Sequence, residues 1–198
     1  MSELKITVDL KSYWHAGGGR GAGSVYDAIV HRDSDGLPVL PGRHLKGVLR
    51  DACSRAEAWG WSGFEPGTTA ALFGELTEQA AGQPPQQGSL RVSDARLPEA
   101  LAGWLASEQG RGFLPHLFRG LYSTAVEHST GTAKEHSLRG MEVTVPLTLT
   151  AVVTPITGMT APDEWQQRLE SVLCLIDCVG AYRSRGLGRA ELTVEATS

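Results

Sequence analysis

Stretches that alternate apolar and polar residues bracket two helical patterns in this chain, and their order is the strongest constraint on its fold. Ile6, Val8 and Leu10 alternate with Lys5, Thr7, Asp9 and Lys11, a period of two that predicts a strand with one buried face. Leu45, Val48, Leu49, Ala52, Cys53 and Ala56 recur at helical spacing. They predict an amphipathic helix over 44–59, started by the Pro41-Gly42 turn. GSLRVSDA at 88–95 reads as a strand, and Val143, Val145, Leu147, Leu149, Ala151 and Val153 alternate over one long strand. Trp165, Leu169, Val172, Leu173, Ile176 and Val179 predict a second helix running to Gly180. The acidic turn Pro162-Asp163-Glu164 stands at its start, where negative charge is favoured. Ala190, Leu192 and Val194 close the series as a strand.

Strand, helix, strand, strand, helix, strand is the α+β, ferredoxin-like (βαββαβ) order: an antiparallel four-stranded sheet with two helices on one face. The 198 residues fit one domain with insertions. One insertion, over 60–87, has a short helical piece near 69–76 and ends in the polar tract EQAAGQPPQQG. The other, over 124–141, is polar and aperiodic and is expected to protrude as a hairpin. Residues 98–123 fit no single element.

An apolar content of 41% supports a folded core. The net charge of -4 excludes indiscriminate coating of nucleic acid but leaves room for a local basic groove. Cys53, Cys174 and Cys178 form no CxxC pair and suggest no disulfide framework; they are expected to be buried small hydrophobes, the last two on the second helix. MSELKITVDL is charged and strand-like rather than a signal peptide, and no apolar run reaches membrane-spanning length. A cytoplasmic protein is expected.

Three glycine-rich segments carry basic residues: 17–23 with Arg20, 42–50 with Arg43, His44, Lys46 and Arg50, and RSRGLGR at 183–189. Glycines let a backbone approach a ligand closely, and successive N–H groups cradle phosphate oxygens. Arg183, Arg185 and Arg189 add fork-shaped donors around Gly186 and Gly188. The start of the first helix adds an anion-binding N-terminus. Neither a Walker A loop nor a dinucleotide fingerprint is present. Three such loops around one sheet favour a long polyanion.

Four runs then resemble a known family: PGRHLKGVLRDA from Pro41, LFGE at 72–75, GSLRVSDARL at 88–97 and RSRGLGRAEL at 183–192. In this order they are similar to the RAMP superfamily of CRISPR proteins, over nearly the whole chain. The likeness is greatest to the backbone subunits of type III effector complexes, ribonucleoproteins of antiviral defence. That resemblance implies a ferredoxin-like fold that binds guide RNA through Arg20, Arg43, His44, Lys46, Arg50 and the Arg183, Arg185, Gly186, Gly188 and Arg189 loop. It implies target RNA, other subunits and copies of the chain itself as partners. VYDAIVHRDSDGLPVLPG places Asp27 where the family carries an aspartate that supports metal-dependent cleavage of target RNA, so Asp27 is the implied catalytic residue and Mg²⁺ ligand. EHSTGTAKEHSLRGMEVTVP resembles the family's protruding thumb, here 126–139. Arg43 and His44 replace two small hydroxyl residues common in the family.

Without the family, a lone aspartate beside a glycine loop reads as a turn or surface residue, although Mg²⁺ does bind through one carboxylate plus substrate phosphates. Two other readings stay open: a non-catalytic structural subunit, and a metal-independent guide-processing endoribonuclease using His15 or His44 as general acid–base. Asp33 and Asp35 read as turn residues, and Asp94 as a structural tie. His116, His128 and His136 lack metal-ligand spacing, so zinc is not expected. Tyr13, Trp14 and Tyr26 are candidates for base stacking or for the core.

Overall fold

The computed structural model describes residues 3–19, 26–75 and 86–195. In chain order the elements are β1 (Leu4–Leu10), α1 (Gly42–Ala58), α2 (Thr68–Phe73), β2 (Leu90–Val92), α3 (Glu99–Ala106), β3 (Phe118–Ser123), β4 (Arg139–Thr144), β5 (Thr148–Pro155), α4 (Trp165–Val172) and β6 (Ala190–Val194). Short 3₁₀ turns cover Arg111–Leu117, Leu173–Leu175 and Arg183–Arg185. β2, β5, β1 and β6 form an antiparallel sheet in that order, which is the expected ferredoxin-like topology. Ile6, Val8 and Leu10 face inward with Leu149, Ala151 and Val153, and α1 and α4 cover them with Leu45, Leu49, Ala52, Leu169 and Val172. Burying each such large side chain contributes roughly 1.5–3 kcal/mol, so the two periodicities decide the fold.

The long strand predicted over 143–153 is two strands. β4 pairs with β3 in a separate hairpin, and β5 pairs with β1. The break falls at Pro146, which has no N–H to donate to a ladder, so the chain changes sheets there.

The second helix is also shorter than predicted. It ends at Val172, and Ile176 is extended because 177–179 pair with the segment entering β6. Val179 donates to Gly188 at 2.8 Å and Ala190 to Asp177 at 2.9 Å. Ile176 and Val179 are buried as expected, but in extended chain. Cys178 therefore lies off the helix and is only half-buried, and Cys174 is exposed, against expectation. Cys53 is buried, and desolvation, helped by Glu57, pushes its thiol up to about 12. The acidic turn before α4 makes no side-chain cap; Glu164 instead takes a left-handed φ of 57°.

Two carboxylates do cap helices. Asp94 accepts the Gly42 N–H at 2.8 Å, and Glu57 accepts those of Gly67 and Thr69 at 2.7 and 2.9 Å. Asp94 is thus the structural tie expected of it. Glycine is required at position 42, where a Cβ would lie 2.4 Å from the Val92 carbonyl oxygen. Asp33 is a turn residue as read, its carboxylate accepting from Asp35 and Leu37. Residues 98–123 hold α3, the first 3₁₀ turn and β3. Beyond the β3–β4 ladder the polar stretch 124–138 forms an exposed tip, closed by Lys134 to Ala125 and Glu127 to Thr132 hydrogen bonds.

Candidate RNA-binding site

The segment leaving β1 joins the sheet, the hairpin and the C-terminal glycine loop. Toward the loop, Lys11 donates to Arg189 (2.7 Å), Gly188 to Tyr13 (2.7 Å) and Ala181 to His15 (2.8 Å). Toward the hairpin, Trp14 and Thr144 exchange backbone hydrogen bonds at 3.1 and 2.8 Å. The Trp14 indole donates to the Val145 carbonyl, and the His15 Nδ1–H donates to that of Glu142 at 2.7 Å. Trp14 is wholly buried, so of its two expected roles it takes the core one. Gly188 is obligatory here: with φ of 73°, its Cβ would fall 1.8 Å from the Val179 oxygen.

That packing brings the second basic segment, through His44, close to the last. His44, on the first turn of α1, accepts the Gly180 N–H at 2.7 Å through Nε2, which fixes the neutral ring with its proton on Nδ1. Burial, and then the charge of Arg183, push the His44 pKa down. Arg43 is exposed beside it, while Lys46 and Arg50 are half-buried further along α1. Lys46 reaches the Leu90 carbonyl at 3.1 Å, and burial together with Arg50 lowers its pKa. The Gly42 N–H, at the helix start expected to meet an anion, is already given to Asp94.

Asp27 lies at the base of the hairpin. It donates its N–H to the Gly140 carbonyl (2.8 Å) and accepts the Gly140 N–H on Oδ2 (2.9 Å). Among the described residues no hydrogen bond engages Oδ1, and the residue is exposed. It lines a cleft of about 340 Å³ with Tyr122, Arg139, Tyr182, Arg185 and Leu187. Two expected residues, Asp27 and Arg185, thus meet at one place. Arg139, Tyr122 and Tyr182 were not singled out by sequence, because the β3–β4 register and the loop fold decide their position. Arg20 lies outside the described residues.

Among the described residues the cations of this rim carry no salt bridge, a property they share with Arg91, Arg111, Arg119, Lys134 and Arg168 elsewhere. Among the described residues the salt bridges engage Lys5, Lys11, Arg32, Arg55 and Arg96. None engages Arg43, Lys46, Arg50, Arg139, Arg183, Arg185 or Arg189. The helix-free face of the sheet is self-neutralised, with Lys5 on Glu195 at 2.6 Å and Lys11 on Asp9 and Glu191. Unpaired guanidinium groups need no carboxylate displaced before they meet phosphate.

Among the described residues no cluster of three or more His, Cys, Asp and Glu side chains could hold a metal. A divalent cation at Asp27 would therefore need oxygens from substrate phosphates. The exposed carboxylate, a hard oxygen donor, fits Mg²⁺ on those terms. His15 is buried, and both it and His44 spend a ring nitrogen on backbone groups.

The chain is thus a four-stranded ferredoxin-like sheet that carries a two-stranded hairpin and a basic rim. The sequence model of the RAMP superfamily matches residues 7–191, and the chain belongs to that superfamily. Its fold is similar to chains in two cryo-EM structures of type III-B Cmr-beta. One is bound to cognate target RNA (TM-score 0.69, 10% identity) and one is in the apo state (TM-score 0.66, 10% identity). Each alignment covers 98% of this chain and 97% of the other. No curated protein matches. Among the described residues, no helix is long and apolar enough to cross a membrane.

Proposed function

We propose that this chain is a guide-RNA-binding subunit of a type III CRISPR effector complex that cleaves complementary target RNA with Mg²⁺ at Asp27. The observation that carries this reading is the meeting of Asp27, Arg139 and Arg185 in one cleft between the hairpin base and the C-terminal glycine loop. Arg43, Lys46, Arg183, Arg185 and Arg189 grip phosphates, and base pairing, not the protein, reads sequence. Arg139 and Arg185 orient the strand, since guanidinium forks hold phosphate oxygens in fixed geometry. A magnesium ion would neutralise charge on the scissile phosphate and leaving oxygen. Membership of the RAMP superfamily and the likeness to Cmr-beta, solved with target RNA, support the partner assignment.

A second reading, a structural subunit without catalysis, is favoured by the Asp27–Gly140 pair, which gives the carboxylate a purely architectural task. Both readings require guide RNA and neighbouring copies. Gel filtration of the purified chain with and without a guide-length RNA tests that shared part. A larger ribonucleoprotein containing several copies is expected, and a monomer unaffected by RNA would overturn it.

A further inference from the structure

The Asp27 cleft has walls that phosphate binding does not explain. Tyr182 and Tyr122 both line it, and both are far more exposed than a tyrosine kept for packing, at 47% and 59%. Tyr182 also holds a left-handed backbone, φ of 58°, which a residue with a Cβ adopts at a cost that glycine avoids. The Arg185 guanidinium stands 5.5 Å from its ring centroid, and Arg185 lines the same cleft. Tyr122 is backed by Tyr26, with ring centroids 6.0 Å apart and planes inclined by 27°. Glycine at 120 makes room for that backing ring, because a Cβ there would lie 2.6 Å from the Tyr26 hydroxyl oxygen. Two exposed aromatic rings, one on strained backbone and one braced from behind, thus share a cleft with two arginines and an acid.

We propose that Tyr122 and Tyr182 form a base-stacking site for an unpaired nucleotide of the RNA strand whose phosphates meet Arg139 and Arg185. The proposal deepens the assignment of RNA cleavage to this cleft and rests on it. Stacking on a ring face needs a base free of its neighbours, so the site takes single-stranded nucleotides and tolerates any base. The cleft volume, about 340 Å³, falls within the usual range of about 300–1,000 Å³ for small-ligand sites. The two tyrosines would hold the nucleotide next to Asp27 as positioning residues.

The test is binding of the full chain to octauridylate and to an abasic RNA octamer, which carry the same phosphates but differ in bases. The wild-type chain is expected to favour octauridylate by about tenfold or more. Tyr122→Leu and Tyr182→Gly should each reduce that preference several-fold, lowering octauridylate affinity more than abasic affinity. Tyr182→Gly also removes the backbone strain, so its melting temperature should equal or exceed the wild-type value. Loss of base preference in that variant cannot then be assigned to misfolding. Equal affinity of the wild-type chain for both oligomers, or a preference unchanged in both variants, would overturn the stacking site. Intact Mg²⁺-dependent cleavage without base preference would remove this inference alone. Base preference without cleavage would support stacking and remove only the catalytic assignment.

Discussion

Asp27 and Gly140 hold each other twice: the Asp27 N–H donates to the Gly140 carbonyl at 2.8 Å, and the Asp27 carboxylate accepts the Gly140 N–H at 2.9 Å. The segment entering the basic motif is thereby locked to β4 at the foot of the hairpin. One carboxylate oxygen does this work. The other has no hydrogen bond among the described residues and is left for the cleft shared with Arg139 and Arg185. The proposed chemistry would therefore fall to a different atom of the side chain from the architectural contact, so substitutions can separate the two.

The His44–Gly180 hydrogen bond predicts acid sensitivity. Burial, then Arg183, hold the His44 pKa below its ordinary value of about 6.5. Between the two values the unfolded chain binds more protons than the folded one, so stability falls as pH falls through that window. The stabilisation is complete above about pH 6.5. Thermal melts at pH 7 and pH 5 should show a larger loss for the wild-type chain than for His44→Gln. Glutamine can still accept from Gly180 and does not titrate. Equal losses would mean that His44 is not the titrating group.

Asp94 caps α1 through the Gly42 N–H. Asp94→Ala should cost about 1 kcal/mol, as removal of an N-terminal cap commonly does. Asp94→Asn should restore most of it, because an amide oxygen also accepts. Urea denaturation with unchanged m-values would measure both. A neutral Asp94→Ala would show that Arg96 and the neighbouring backbone hold the helix start without it.

The grip on RNA should reside in unpaired surface cations. Arg43 and Arg185 are exposed and outside every salt bridge among the described residues, so reversing their charge leaves the fold intact. Lys46 suits this test less well, since its ammonium also holds the Leu90 carbonyl. Arg43→Glu with Arg185→Glu should weaken guide binding and flatten the plot of log affinity against log salt by about 0.7 per lost phosphate contact. An unchanged slope would place the guide elsewhere on the molecule.

The sheet and its two covering helices were legible because period-two and helical patterns persist through Ile6, Val8, Leu45, Leu49, Leu169 and Leu192, all buried. The break at Pro146 was masked because Val145 and Leu147 keep the alternation in phase across it. Likewise Ile176 and Val179 satisfy a helical pattern while lying in extended chain, since burial alone does not reveal which backbone delivers it. At the site, Arg185 stood out through its glycine-rich loop, and Asp27 only through the family resemblance of the segment around it. Arg139 and Tyr122 did not, because only the pairings Ser123 with Arg139 and Tyr122 with Gly140 bring them to the cleft. Such register is long-range information that no local spacing carries. Tyr182 was hidden for another reason: its left-handed backbone is a place where glycine would be expected.

The central claim is that Asp27 serves cleavage, and cutting of complementary RNA by the guide-loaded complex in Mg²⁺ tests it most directly. Asp27→Asn keeps an oxygen for the Gly140 N–H and removes the charge. It should melt like the wild-type complex, bind target equally well, and cut at least about a hundredfold more slowly, the loss of several kcal/mol of charge stabilisation. Cutting at the wild-type rate by Asp27→Asn would contradict the account and leave Asp27 as the clamp that holds the hairpin.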